Sequence, residues 1–287
     1  MKLTEGYSYS HSTKSEVSDE LINTYLLRPL AGVLVRLLYR TPITPNHVTI
    51  AATLTGMIAG ILYSYGSPAL TFAAGLSITL KDLLDSADGQ LARARNMYSR
   101  TGRFLDSIGD FVVNLLVFAA IAVALTNEIG DYHLPVLCLL CFWGTTLRVS
   151  YHVFYQTAFL HLQDAYKTNR LTEEVRAEDL LAGRSTLLLQ RIYGVLYNWQ
   201  DRMMEKIDTW CRKGFPRSRA NDVYWYSDNT GLRLSGFLGM GTELFLLMVC
   251  SVTDSLPLYL YLNLFLMNTI WLGSVLYRKV VLANRHR

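Results

Sequence analysis

Two short runs of the chain carry acids at spacings that chemistry can use: Asp85-Ser-Ala-Asp88-Gly89-Gln-Leu-Ala92-Arg93 and, eight residues later, Gly102-Arg-Phe-Leu-Asp106-Ser-Ile-Gly-Asp110. On helices, Asp85, Asp88 and Ala92 share one face, and Gly102, Asp106 and Asp110 share another. Residues 94–101 form a short polar connection, so the two helices should be antiparallel neighbours with their acidic faces opposed. Four carboxylates brought together beside hydrocarbon cannot all stay ionised unaided, because burial and mutual repulsion both favour the protonated form. Cations must therefore share the site. An all-oxygen ligand set selects hard divalent ions such as Mg²⁺ or Mn²⁺ over zinc, and four carboxylates suit two ions. Two such ions can clamp a pyrophosphate and neutralise charge on a leaving phosphate while an oxygen nucleophile attacks.

The neighbouring residues fit that chemistry. Gly89 and Ala92 remove bulk beside the carboxylates where a nucleotide would approach the backbone, and Gly102 does so at the entry to the second helix. Arg93 keeps its charge and suits a phosphate oxygen. The competing explanation is that the acids only pair with Arg93, Arg95, Arg100 or Arg103. Four ionisable groups on two facing helices weigh against it, since such groups at this depth are expensive and usually functional.

The elements that must position these residues are membrane helices. Hydrophobic residues make up 51% of the chain against 17% charged, a balance of an integral membrane protein. Residues 41–80, 104–147 and 234–277 contain no Lys or Arg. Breaks at Tyr65-Gly66-Ser67-Pro68, around Asn127–Asp131 and at Asp254–Pro257 divide them into an all-α polytopic protein with six spans, near residues 47–65, 69–94, 102–125, 134–155, 233–252 and 257–278. Basic residues then gather before the first span, in or beside the turn between the second and third, between the fourth and fifth, and after the sixth. By the positive-inside rule both termini and the acidic site face the cytoplasm. The net charge of +4 reads as topology and attraction to anionic lipid; no nucleic-acid partner is expected.

Five sections follow: a polar tail at 1–16 with no signal-peptide core, an interfacial amphipathic helix at 17–42, spans one to four at 43–155, a cytoplasmic insertion at 156–232, and spans five and six with a basic tail at 233–287. In the early helix, Ser18 is a candidate cap, Asp19 and Glu20 suit the first turn, and Tyr25, Leu30, Leu34 and Leu37 fall near one face with Arg28, Arg36 and Arg40 between them. Within the insertion, Leu188, Ile192, Leu196, Trp199, Met203, Ile207 and Trp210 recur at helical spacing. That helix suits a membrane surface, a dimer contact or a lid. Cys138 and Cys141 lie inside the fourth span and read as packing residues rather than a metal or redox pair.

The pattern D-x-x-D-G-x-x-A-R-x8-G-x3-D-x3-D resembles the signature of the CDP-alcohol phosphotransferase (CDP-alcohol phosphatidyltransferase) family, with all eight fixed positions present. Six spans, an initial interfacial helix and Pro45-Asn46-His-Val-Thr49 before the first span are also similar to that family. The resemblance implies metal ligation by Asp85, Asp88, Asp106 and Asp110, with Asp110 also the base for the acceptor hydroxyl. It implies a CDP site lined by Gly89, Ala92 and Arg93, with Gly102, Asn46, Thr49 and Ser99 as further contacts, and a homodimer. The expected reaction moves a phosphatidyl group from CDP-diacylglycerol to a small polar alcohol, such as an inositol phosphate, glycerol phosphate or serine, and releases CMP. The reverse arrangement, a polar headgroup passed from a CDP-alcohol to a lipid alcohol, is the alternative; a divalent-cation transporter and a phosphohydrolase are rivals from other classes. A prokaryotic inner membrane is the expected location.

Two features stand outside the family pattern. Asp82 adds an acid near Asp85, expected to support the ligands from behind or to sit solvated at the helix edge in preference to binding a metal directly. The 156–232 insertion is longer than the loop of compact members. Glu243, Asn263 and Asn268 are expected to form interhelical hydrogen bonds. Arg148 and Tyr151 are candidates to hold a phosphate of the acceptor, or else a snorkelling Arg with an interfacial Tyr.

Overall fold

A computed structural model describes residues 20, 22–162, 183–216 and 218–284. The expected tail at 1–16, the Ser18 cap, Asp19, and the last residues of the basic tail lie outside these. All regular structure among the described residues is helical. A π-helical turn, Asn23–Leu27, leads into α1 (Arg28–Leu38). Then come α2 (Pro45–Ser64), α3 (Pro68–Ala94), α4 (Arg100–Ile129), α5 (Leu134–Leu162), α6 (Arg184–Cys211), α7 (Arg219–Tyr226), α8 (Asn229–Gly236) and α9 (Met240–Val252). The last helix, α10 (Leu256–Leu282), contains π-helical stretches at Leu262–Met267 and Tyr277–Leu282.

Five helical segments are long and apolar enough to cross a membrane: α2, α4, α5, α8 with α9 (Asn229–Val252), and α10. The chain is thus read as an integral membrane protein. Helix α3 has the length of a span but carries Lys81, Asp82, Asp85, Asp88 and Arg93 in its second half.

Local sequence explains the helix ends. Thr44 and His47 form a reciprocal cap at the start of α2, with Pro45 at the first helical position. Ser99 caps α4 by accepting the Gly102 N–H at 2.9 Å. Gly130 ends α4 in the left-handed conformation, φ 76°, where a side chain would be strained.

Helices α2, α3 and α4 pack closely side by side. A methyl on Gly56 of α2 would lie 2.6 Å from Val113 of α4 and 3.2 Å from the Lys81 stem on α3, so only glycine admits this approach. The main apolar core runs through Tyr63, Ile78, Ile121, Phe142, Leu247 and Leu260, drawing on α2, α3, α4, α5, α9 and α10. Cys138 and Cys141 are free, buried members of it.

Helix α1 lies on α3, burying Ala31 and Val35 against Ala87 and Leu91. Its other side turns Leu26, Leu30, Val33 and Leu37 outward. Arg95, just past α3, holds the end of α1: its guanidinium donates to the carbonyls of Leu38, Tyr39, Thr41 and Ile43, at the helix end and in the turn that follows it. Glu20 has a different task from the first-turn acid expected of it. It is buried, and its carboxylate accepts the Gly241 N–H at 2.7 Å at the start of α9.

The amphipathic pattern expected in the insertion is present as α6, and its apolar residues divide: Leu188, Ile192, Trp199 and Trp210 are exposed, as is Val195, whereas Met203 and Ile207 pack on the bundle beside the buried Met204. Thr186, Gln190, Gln200 and Asp208 are also buried against the bundle. Trp199 meets Trp143 of α5 edge-on at 5.8 Å, continuing the outward apolar surface of Leu139, Leu140 and Trp143.

Candidate metal and nucleotide site

The site forms where the second half of α3 meets the first half of α4. Asp85 and Asp88 from α3 and Asp106 from α4 each present a carboxylate oxygen, and these oxygens lie within 4.8 Å of one another. Asp88 is buried and Asp85 and Asp106 are half-buried. The Thr49 hydroxyl, from the first turns of α2, sits on Asp88 Oδ2. Its contact to Pro45 carbonyl oxygen at 3.2 Å ties the same side chain to the start of α2.

Asp110, one turn beyond Asp106, stands apart from that trio. Its Oδ1 accepts the Lys81 ammonium. Lys81 was expected among the basic residues in or beside the turn, yet it lies on α3 one turn before Asp85, with its side chain only 3% exposed. The thirteen residues to Ala94 put it roughly 20 Å along the helix from the turn. Its tail reaches inward because apolar packing surrounds it and the carboxylates are the available partners. Asp82, expected in part as a solvated edge group, is buried at 6% exposure, which removes the solvated alternative.

The remaining expected residues fall into two groups. Asn46 and Ser99 flank Gly102: a methyl there would sit 2.6 Å from Asn46 Oδ1 and 2.8 Å from Ser99 Oγ. This glycine lets the starts of α2 and α4 meet. On α3, Gly89 faces the guanidinium of Arg93, whose Nη1 would be 3.3 Å from a methyl on Gly89. Ala92 and Arg93 are half-buried.

Helix α6 walls the far side of α4. Tyr197 donates to the Ser107 carbonyl at 2.7 Å, Tyr193 packs on Phe104 at 5.2 Å, and Thr186 pairs with Thr101 at 2.8 Å. Burial, reinforced by the nearby negative charge of Asp110, keeps the Tyr197 phenol protonated well above its ordinary range. Tyr197 is a neighbour the helical periodicity did not single out, because it belongs to the polar face of α6.

Arg148 and Tyr151 are not at this site's surface. Arg148 is fully buried and pairs with Glu243, its Nε 3.0 Å from Oε1, and donates to Asn268 Oδ1 at 2.7 Å. Asn263 completes the group with bonds to Glu243 at 2.9 Å and Thr145 at 2.7 Å. The expected interhelical hydrogen bonds of Glu243, Asn263 and Asn268 are therefore present, and Arg148 belongs with them rather than at an interface or beside a phosphate. Five residues apart, Asn263 and Asn268 would diverge by about 140° on a regular α-helix. The wider π turn at Leu262–Met267 brings both toward α5. Tyr151 is buried with its hydroxyl 3.2 Å from Ser274 Oγ.

The donor set fits hard divalent cations: three carboxylate oxygens converge from two rigid helices.

The bifunctional IPC transferase and DIPP synthase of Thermococcus kodakarensis is 33% identical over 150 residues, 52% of this chain and 32% of that protein. The phosphatidylinositol phosphate synthase of Mycobacteroides abscessus is 32% identical over 117 residues, 40% of this chain and 50% of that one. The chain thus matches between a third and a half of the length of these two relatives. The phosphatidylinositol phosphate synthase of Mycobacterium tuberculosis, solved with CDP-DAG bound, aligns over 82% of this chain and 94% of that one at 17% identity, with a TM-score of 0.37. The family model for CDP-alcohol phosphatidyltransferase matches residues 42–204, more than half of the chain and all of the acidic site. With the motif intact on α3 and α4 and its carboxylates converging, the chain belongs to the CDP-alcohol phosphatidyltransferase family.

Proposed function

We propose that this protein transfers a phosphatidyl group from CDP-diacylglycerol to a small polar alcohol and releases CMP, at a site where Asp85, Asp88, Asp106 and Asp110 hold two divalent cations. The observation that carries the reading is the convergence of three carboxylates within 4.8 Å from two facing helices, with the fourth acid one turn away. When bound, the cations would neutralise the pyrophosphate and stabilise CMP as leaving group. Asp110 takes the proton from the acceptor hydroxyl at the oxygen not engaged by Lys81. The acceptor oxygen then bonds to the β-phosphorus as the bond to CMP breaks. Arg93 holds phosphate oxygens, Gly89 and Ala92 leave room for the nucleotide, and Asn46, Ser99 and Gly102 edge its pocket. Thr49 fixes the orientation of Asp88.

Family membership and a relative named as a phosphatidylinositol phosphate synthase support the phosphatidyl donor and put an inositol phosphate first among acceptors. Helix α3 is the sixth span in this reading: its apolar first half crosses the bilayer and its charged second half reaches the cytoplasmic boundary. Both termini share that side by the positive-inside rule, and α1 lies in the interface with Leu30, Val33 and Leu37 in lipid. The protein would act as a homodimer in an inner membrane of a prokaryote.

The test is CMP release by purified protein in detergent with CDP-diacylglycerol and Mg²⁺ or Mn²⁺, against a panel of polar alcohols and alcohol phosphates. Release dependent on one acceptor supports the reading and names the product. Release only with CDP-choline or a similar donor and a lipid alcohol overturns the direction of transfer, and metal flux in vesicles without CMP release overturns the enzyme.

A further inference from the structure

We propose that Lys81 is a positioning residue of this site: its ammonium orients Asp110 toward the acceptor and supplies a positive charge that weakens the hold on the second cation. The proposal rests on the metal-dependent reading above and adds a residue that lies outside the family motif.

Lys81 and Asp85 are spaced i, i+4 on α3, so the lysine rises from the same face as the acids. Its stem passes between α2 and α4 in the space left by Gly56, where a methyl would stand 3.2 Å from the Lys81 Cγ. The ammonium pairs with Asp110 and also feels the charges of Asp85 and Asp82. Next to the pair, Ile78, Val113, Val117, Met240 and Leu244, with Asn114 as the one further polar group, line a void of about 10 Å³, at the lower limit for one water molecule. The lysine has little solvent to turn to, and its charge stays with the carboxylates.

Two consequences follow. A carboxylate otherwise rotates about its terminal torsion, and the ion pair on Oδ1 fixes the plane of Asp110, leaving Oδ2 to receive the proton. The Lys81 charge offsets part of the negative charge that Asp110, Asp85 and Asp82 bring close to it. Without the lysine, cations bind more tightly to the surplus negative charge while Asp110 loses its fixed orientation.

The experiment uses the full chain in detergent with Lys81→Met, which keeps most of the stem, and Lys81→Arg, which keeps the charge. Mn²⁺ binding is followed by electron paramagnetic resonance and turnover by CMP release. For Lys81→Met the expected result is weaker-site Mn²⁺ affinity raised about tenfold and kcat lowered about tenfold or more, with KM for the CDP donor within about threefold. Lys81→Arg should stay within about threefold of the parent on both measures. Opposite movement of metal affinity and turnover is what a merely structural lysine would not produce, since a damaged fold weakens both. Mn²⁺ affinity that is unchanged or weaker in Lys81→Met, or an unchanged kcat, overturns the proposal while leaving the metal site intact. Absence of Mn²⁺ binding in the parent protein overturns the metal reading itself.

Discussion

Two polar clusters lie within the helical bundle, and they are built on opposite principles. In the group of Arg148, Glu243, Asn263, Asn268 and Thr145, one acid meets one base and the amides and hydroxyl fill out their hydrogen bonds. Charge is matched within the cluster, and the bonds join α5, α9 and α10. On α3 and α4, Asp85, Asp88 and Asp106 bring carboxylate oxygens within 4.8 Å of one another, and Lys81 pairs with Asp110 beside them. The first arrangement is complete as it stands and its value is in holding helices together. The second sets carboxylates against one another, an arrangement that stability alone does not favour and that positively charged ligands would relieve. Charge balance, more than depth or number of polar groups, separates a packing cluster from a working one.

If this contrast is right, substitutions in the two clusters should separate activity from stability. The largest expected effect is Asp106→Asn: CMP release should fall by about a thousandfold, as for loss of a group that holds transition-state charge, while thermal stability in detergent stays level or rises because one repelling carboxylate is gone. A parallel loss of folded protein would move this acid into the structural class.

Arg148→Met should do the reverse. It strands Glu243 in a dry interior at a cost of about 3–5 kcal/mol, read as a large drop in melting temperature, and Arg148→Met with Glu243→Gln should recover part of it. Recovery in the double variant is the decisive feature, since it reports the pair rather than either side chain. A third, smaller effect is expected at Gly102→Ala. The added methyl would lie 2.6 Å from Asn46 Oδ1 and 2.8 Å from Ser99 Oγ, so both side chains must swing aside and the Ser99 cap is disturbed, costing about 1–3 kcal/mol and raising KM for the CDP donor more than it lowers kcat. Unchanged donor KM would remove Asn46 and Ser99 from the nucleotide pocket. Arg95→Ala should have the least influence on chemistry. It frees the carbonyls at the end of α1 and should speed proteolysis near Thr41, with turnover reduced only a few-fold.

The helices were legible because each is local: windows without Lys or Arg, a Pro or Ser at the start, a Gly or Asn at the break. Helix bounds for α2, α3, α4 and α5 differ from the sequence reading by only a few residues except at the α5 end, which runs on to Leu162. Convergence of Asp85, Asp88 and Asp106 was also legible, because spacing on two helices joined by a short turn leaves little freedom. What the sequence hid was long-range. Lys81 stood at the edge of an uncharged window and its partner Asp110 is on the next helix. Arg148 and Glu243 are ninety-five positions apart, so no periodicity links them. Glu20 capping α9 and Arg95 capping α1 each serve an element they do not belong to. On α6 the exposed Leu188, Ile192 and Trp199 and the core-packed Met203 and Ile207 share one periodicity, and pattern alone does not tell the outward residues from the inward ones.

The most direct test of the central claim is metal removal and return. Purified protein treated with chelator and passed through a desalting step should release no CMP from CDP-diacylglycerol in the presence of its acceptor, keep its melting temperature within a few degrees, and regain turnover when Mg²⁺ or Mn²⁺ is added. Turnover that survives complete removal of divalent cations would contradict the account, because the acids on α3 and α4 would then have to work without the charge they were read as binding.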